Sequence, residues 1–255
     1  MKRLTEKHPY NCLEAIPDNA STIIVGTAPP PRFSRPDMSL LAGDTCFYYG
    51  SKSSRMWRLL SGITGTSLLD EADDAQRRTN WHNFLTINDL WMYDVLQEYK
   101  RRSGKETSAR DADIEEFDLT DFRVVFAAKR RINKIAFTSQ QAADWTFQKL
   151  SESAKGLGAR YNAAISRRNE ICKHLRSDEE RIGQKFRGPL LSEYMEGREI
   201  AFYILPTPTR MSGGMKGLNQ KAKEKIYADV LMAMCAPHDE LSRHRHERIV
   251  QTTKN

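Results

Sequence analysis

Ser21-Thr-Ile-Ile-Val-Gly-Thr-Ala-Pro-Pro-Pro31 decides the fold class of this chain. Its first half is a short β-branched run closed by glycine, the pattern of a strand buried on both faces of a parallel sheet. Its second half cannot be helical. Three consecutive prolines supply no amide donors and fix their own backbone angles, so a rigid extended loop leaves the strand end at Thr27. Two further apolar runs, Lys134-Ile-Ala-Phe-Thr138 and Glu199-Ile-Ala-Phe-Tyr-Ile-Leu205, also give way to polar or proline-containing loops. Helical spacing covers Ser53 to Ile63, Asp74 to Leu85, Phe117 to Ala128, Gln140 to Leu150 and Arg160 to Leu175, with Ser53 or Ser54 as the cap of the first. Ile226, Tyr227, Val230, Leu231 and Met234 form a last helical stripe, read as core packing. Strands alternating with helices imply an α/β fold. The expected architecture is a three-layer αβα sandwich with a short, mainly parallel central sheet and ligand loops at the strand carboxyl ends.

The 255 residues suit one domain with a full core, and no repeat or low-complexity linker divides them. A composition of 39% hydrophobic and 29% charged residues excludes a disordered or membrane-embedded chain. No apolar run approaches the roughly 20 residues that span a bilayer. The first residues lack a signal-peptide core, and Cys12, Cys46, Cys172 and Cys235 form no CxxC pair, so reduced cysteines in a cytoplasmic protein are expected. No metal site is expected either: His244 and His246 lie among arginines in a basic tail at about 238–255, and their neighbours would repel a cation. The net charge is +7. More than half of that excess lies in a segment at about 155–198, read as a basic helical insertion that either covers DNA or presents a solvated face.

Three loops concentrate the chemistry: Gly26-Thr-Ala-Pro-Pro-Pro31, Phe47-Tyr-Tyr-Gly-Ser-Lys-Ser-Ser-Arg-Met-Trp-Arg58 and Leu205-Pro-Thr-Pro-Thr-Arg-Met-Ser-Gly-Gly214. The glycines and Lys-Ser/Thr pair of a phosphate loop are absent from the first, and no G-x-S-x-G elbow occurs, which argues against ATP binding and acyl transfer.

In order and spacing these loops resemble the uracil-DNA glycosylase superfamily, especially its thymine/mismatch-specific and hypoxanthine-type branches. His8-Pro-Tyr10 with Ile23-Ile-Val-Gly-Thr-Ala-Pro-Pro30 is similar to the entry segment and first motif. Phe47-Tyr-Tyr-Gly50 followed by Met56-Trp57 resembles the tyrosine loop running into a Phe-Trp helix. Trp91-Met-Tyr-Asp-Val95 resembles the middle segment, Ile135-Ala-Phe-Thr138 the third strand, and Ile204-Leu-Pro-Thr-Pro-Thr-Arg210 the loop that presses on DNA.

The resemblance implies a monofunctional DNA glycosylase, monomeric, without metal or organic cofactor, whose partner is double-stranded DNA with one base extruded. Tyr48 and Tyr49 are expected to wall the base pocket with Thr27, Ala28 and Ser54, while Trp57 is read as core. Thr207, Thr209, Gly213 and Gly214 are expected at the DNA backbone. Arg210, or else Met211, would fill the space the base vacates. Lys52, Arg55, Arg58 and Arg32 add positive charge near the proposed groove.

The chain also departs from the family. Thr27 and Ala28 stand where several branches carry a water-activating Asp, Asn or Glu, and Ser54 stands where the hypoxanthine-type branch has an Asn. The nearest carboxylates in this alignment are Asp44 and Asp94, the expected catalytic candidates. Asp94 replaces a base-reading Asn. A carboxylate only accepts hydrogen bonds, so it favours an exocyclic amine over the imide edge of uracil; the other reading has Asp94 capping or pairing at the start of a helix that runs to Arg101. A modified cytosine of phage DNA, excised in antiviral defence, fits that preference. Housekeeping repair of uracil or hypoxanthine, a catalytically lapsed DNA-binding module, and a small-molecule α/β hydrolase are the alternatives.

Overall fold

The computed structural model describes residues 4–69, 73–174, 186, 188–208 and 219–232. Two sheets organise it. The larger has five strands in the order β3-β2-β6-β8-β7, where β2 is Thr22–Gly26, β3 Leu90–Asp94, β6 Lys134–Phe137, β7 Leu191–Met195 and β8 Arg198–Ile204. Contacts β2–β3, β2–β6 and β6–β8 are parallel, and β7 closes the edge as an antiparallel hairpin with β8. Every residue of β2, β3 and β6 is buried. Burial without alternation requires cover on both faces, which is the αβα layering expected from the sequence.

A smaller antiparallel sheet, β1-β4-β5, joins Thr5–Lys7, Leu96–Arg101 and Ile114–Leu119. It corrects two expectations. Phe117 to Leu119 belong to strand β5, and the helix α4 (Phe122–Ala128) starts only at Phe122, where Asp121 accepts from the Arg123 amide. The segment from Leu96 to Arg101 is strand rather than helix, so Asp94 caps nothing.

The remaining helices are α1 (Pro31–Ser34), α2 (Met56–Thr64), α3 (Asp74–Ile87), α5 (Gln140–Ser151), α6 (Leu157–His174) and α7 (Gln220–Leu231). α1 follows directly on the proline loop, with Pro31 as its first residue, a position where the missing amide costs nothing. α2 starts at Met56, past the expected cap; Ser54 Oγ accepts from the Met56 amide at 3.3 Å instead. Met56, Trp57, Leu59 and Leu60 are all buried, and Trp57 stacks on Trp81 of α3 at 4.2 Å, so Trp57 is core. Ile226, Tyr227, Val230 and Leu231 are buried on α7 as well; Met234 lies outside the described residues.

The segment at 155–198 is not wholly helical, because β7 completes the central sheet within it. Three of its cations are engaged with the protein. Arg160 makes a paired bond to Glu193, Arg168 lies over the Phe186 ring, and Arg198 donates to the carbonyls of Ile132, Phe126 and Lys129. Among the described residues no helix is long and apolar enough to cross a membrane.

Candidate active site

The parallel strands β3, β2, β6 and β8 run in the same direction, so their carboxyl ends meet at one edge of the sheet. The chain passes from β2 to β3 on one side and reaches β6 on the other side of β2, a reversal of strand order that opens a crevice at this edge. A cleft of about 380 Å³ lies there. Thr27 and Ala28 enter it from the end of β2, Asp94 from β3, Thr138 and Ser139 from β6, and Thr207 and Pro208 from beyond β8. Tyr48, Tyr49, Ser51, Ser53 and Ser54 close it from the tyrosine loop, with Tyr10 and Phe47 beside them. Thus Thr27, Ala28, Tyr48, Tyr49, Ser54, Asp94 and Thr207 share one cavity. Thr209, Arg210, Met211, Gly213, Gly214 and the tail at about 238–255 lie outside the described residues.

Asp94 is the most firmly held of these side chains. Its backbone is clamped by the Asn11 amide group: Asn11 Nδ2 donates to the Asp94 carbonyl at 2.8 Å and the Asp94 amide donates to Asn11 Oδ1 at 3.0 Å. Thr120 Oγ1 also donates to that carbonyl. The carboxylate meets His8, whose Nε2 lies 2.8 Å from Oδ2. His8 Nδ1 accepts from the amides of Tyr10 and Asn11, which assigns the ring proton to Nε2 and makes His8 the donor to Asp94. Stacking on Tyr48, with centroids 5.6 Å apart, fixes the ring. No described residue donates to the other oxygen, Oδ1.

Oδ1 lies over Gly26. A Cβ at that position would stand 2.4 Å from Asp94 Oδ1 and 2.5 Å from Tyr49 Oη, so the strand must end in glycine for the two oxygens to sit there. Tyr49 itself has φ 54°, a left-handed conformation that costs a non-glycine residue about 1–2 kcal/mol. Its hydroxyl lies 2.7 Å from Thr138 Oγ1, which in turn reaches the Val25 carbonyl at 3.3 Å. If the Thr138 proton points to Val25, Tyr49 donates to Thr138, and its remaining lone pairs and Asp94 Oδ1 present two acceptors side by side. Burial and the Asp94 charge raise the Tyr49 phenol well above its ordinary range, so it stays protonated at neutral pH. Tyr48 is raised likewise, chiefly by burial, and donates to the Tyr10 carbonyl at 2.7 Å. Its hydroxyl is therefore occupied, and the ring serves as wall.

Asp44, the other expected catalytic carboxylate, is a correction. It does not line the cleft. Arg32 Nε and the Leu41 amide donate to its Oδ2, while Arg32 Nη2 and the Lys52 amide donate to Oδ1. All four lone-pair positions are filled, leaving none for a water proton. Burial pushes the Asp44 carboxyl upward, but the Arg32 guanidinium and the two amides outweigh it and hold it below 3.8. Its work is to close the loop that carries the tyrosines. Arg32 is thereby neutralised and does not contribute free positive charge to the groove.

Three residues hold places in the site that the sequence does not assign, although His8 stands in the entry segment. His8 and Asn11 hold Asp94 from 86 and 83 positions away. Asp111, in a 3₁₀ turn (Asp111–Asp113) ahead of β5, lines the same cleft and accepts from Thr27 Oγ1 at 2.9 Å. A hydroxyl at Thr27 in a loop without other polar side chains was the one available signal that it had a distant partner.

No family model matches this chain. No curated protein matches it. Among solved structures, it is similar to a protein from Methanosarcina acetivorans, determined by solution NMR and provisionally described as a uracil DNA glycosylase. The likeness has 20% identity and a TM-score of 0.39, and it covers 54% of this chain and 73% of the other.

Proposed function

We propose that the chain is a monofunctional DNA glycosylase that takes an extruded base into this cleft and hydrolyses its bond to the sugar. The observation that carries this reading is the convergence of Asp94 Oδ1 and Tyr49 Oη over Gly26, in a cleft lined by aromatic rings. A volume of about 380 Å³ falls in the ~300–1,000 Å³ range of small-ligand pockets. Tyr10, Phe47 and Tyr48 offer faces for stacking, and the polar groups lie where a base edge would meet them. Thr207 and Pro208, on the segment anchored by Tyr227 and Lys223 of α7, also line the cleft and would meet the strand backbone. The order of motifs along the sequence agrees with this assignment.

The preferred base carries an exocyclic amine. Asp94 can only accept, and the His8 donor keeps its Oδ2 occupied, so Oδ1 would take an amine proton and would repel the carbonyl oxygen of an imide edge. A modified cytosine is the substrate most consistent with this pairing, and defence against phage DNA is the setting in which such bases are met. The test is release of base, followed as strand breakage at abasic sites, from duplexes carrying cytosine, 5-substituted cytosines, adenine, uracil and hypoxanthine. Release of amine-bearing bases is expected. Efficient release of uracil with every cytosine derivative untouched would overturn the specificity, and DNA binding without any release would leave a lapsed binding module.

A further inference from the structure

The cleft holds a second carboxyl whose surroundings differ from those of Asp94. Asp94 sits at the end of a central strand with a histidine N–H on one oxygen and its backbone pinned by Asn11. Asp111 arrives from the smaller sheet, on the turn that leads into β5, and receives one hydroxyl proton, from Thr27. No described residue donates to Asp111 Oδ2. One carboxyl is therefore fixed as an acceptor for a bound edge, and the other has an oxygen open to a small molecule in the cavity.

We infer that Asp111 is the general base of this cleft, activating the water that replaces the base on the sugar. The inference rests on the glycosylase reading above. In the step it performs, the water oxygen bonds to C1′ as the C1′–N bond breaks, and that bond's electron pair leaves with the base. The water proton passes to Asp111 and then, through solvent, to the base nitrogen, so the products are the free base and a C1′ hydroxyl. Hydrolysis of this bond builds positive charge on the sugar, which the ionised Asp111 carboxylate beside the attacking water favours.

The electrostatics agree with the geometry. Burial, the largest influence, and the charge of Asp94 at the end of β3 push the Asp111 carboxyl above its ordinary 3.8, while the Thr27 hydroxyl and Arg101 on β4 pull it down. A raised carboxyl is the stronger base once ionised. It is also a burden on the fold: a folded-state value above the unfolded one gives stability below the unfolded value and loses it as pH rises through the folded value. At neutral pH the ionised Asp111 therefore destabilises the protein, a cost in keeping with a role in chemistry.

The experiment is single-turnover base release against pH for the wild type, Asp111→Asn and Thr27→Val, on whichever duplex the wild type cleaves best. The wild-type rate is expected to rise with pH through an inflection above 3.8. Asp111→Asn should lose that limb and at least about 100-fold in rate, with a thermal midpoint at neutral pH equal to or above that of the wild type. Thr27→Val removes the hydroxyl that lowers the Asp111 carboxyl, so its limb should move to higher pH. An Asp111→Asn enzyme that keeps the wild-type rate and limb overturns the assignment while leaving the glycosylase reading intact. So does one that loses activity together with its stability. A wild type that releases no base overturns both.

Discussion

A single methyl at Gly26 would stand within 2.5 Å of both Asp94 Oδ1 and Tyr49 Oη, closer than non-bonded atoms approach. Both oxygens belong to side chains that are held elsewhere, one by His8 and the other by Thr138, so neither can retreat without breaking a hydrogen bond. Gly26→Ala is accordingly expected to displace the two acceptors and lower base release by on the order of 100-fold, corresponding to about 2.7 kcal/mol of transition-state stabilisation. The strand itself should survive, because alanine suits a buried β position. Comparison of single-turnover rates with the urea midpoint separates the two effects. An alanine variant with the wild-type rate would show that the oxygens do not act where they stand.

At the scale of elements, the loop from Leu41 to Lys52 depends on one buried carboxylate. Asp44 gathers Arg32, the Leu41 amide and the Lys52 amide, and Arg32 continues to Ser51 Oγ at 2.6 Å. Asp44→Ala leaves the half-buried Arg32 guanidinium without its carboxylate partner and should cost about 2 kcal/mol at neutral pH. Because the folded Asp44 carboxyl is held below 3.8, its contribution is present above that value and lost as pH falls through the folded one. Urea unfolding should thus show the two proteins converging only in strong acid; a gap that persists unchanged there would contradict the ionic account.

The same scale explains what the sequence made legible. β2, β6 and β8 were readable because apolar runs ending at glycine, threonine or proline leave few other interpretations. β4 and β5 were not. Register shifts between Leu96 and Glu98 and between Tyr99 and Lys100 break the alternation of β4, and Ile114-Glu-Glu-Phe-Asp-Leu119 has a positive-φ residue, Glu116, inside the strand. Phe117 consequently fell in with the genuine helix that follows. In the site, Asp94 could be found because it stands where the resembled family carries a base-reading Asn. Asp111 and His8 could not, since their partners are 84 and 86 residues away and only the folding of both sheets around the end of β2 brings them together.

Taken whole, the molecule joins a buried parallel sheet to a smaller antiparallel one, and the cleft lies where contributions from both meet. The net charge of +7 is only a loose guide to the face that would meet DNA in the proposed reaction. Arg32, Arg101 and Arg160 are paired with Asp44, Glu6 and Glu193, so these three cations are engaged within the protein. In the proposed glycosylase, recognition of an extruded base rests instead on the acceptor at Asp94, and this is the proposal most directly open to measurement. Single-turnover base release should be compared, for the wild type and Asp94→Asn, on duplexes that differ only in carrying a 5-substituted cytosine or a uracil. The wild type should favour the cytosine duplex, and the amide, which both donates and accepts, should shift the preference toward uracil. The same preference in both proteins, or a wild type that favours uracil, would contradict the account.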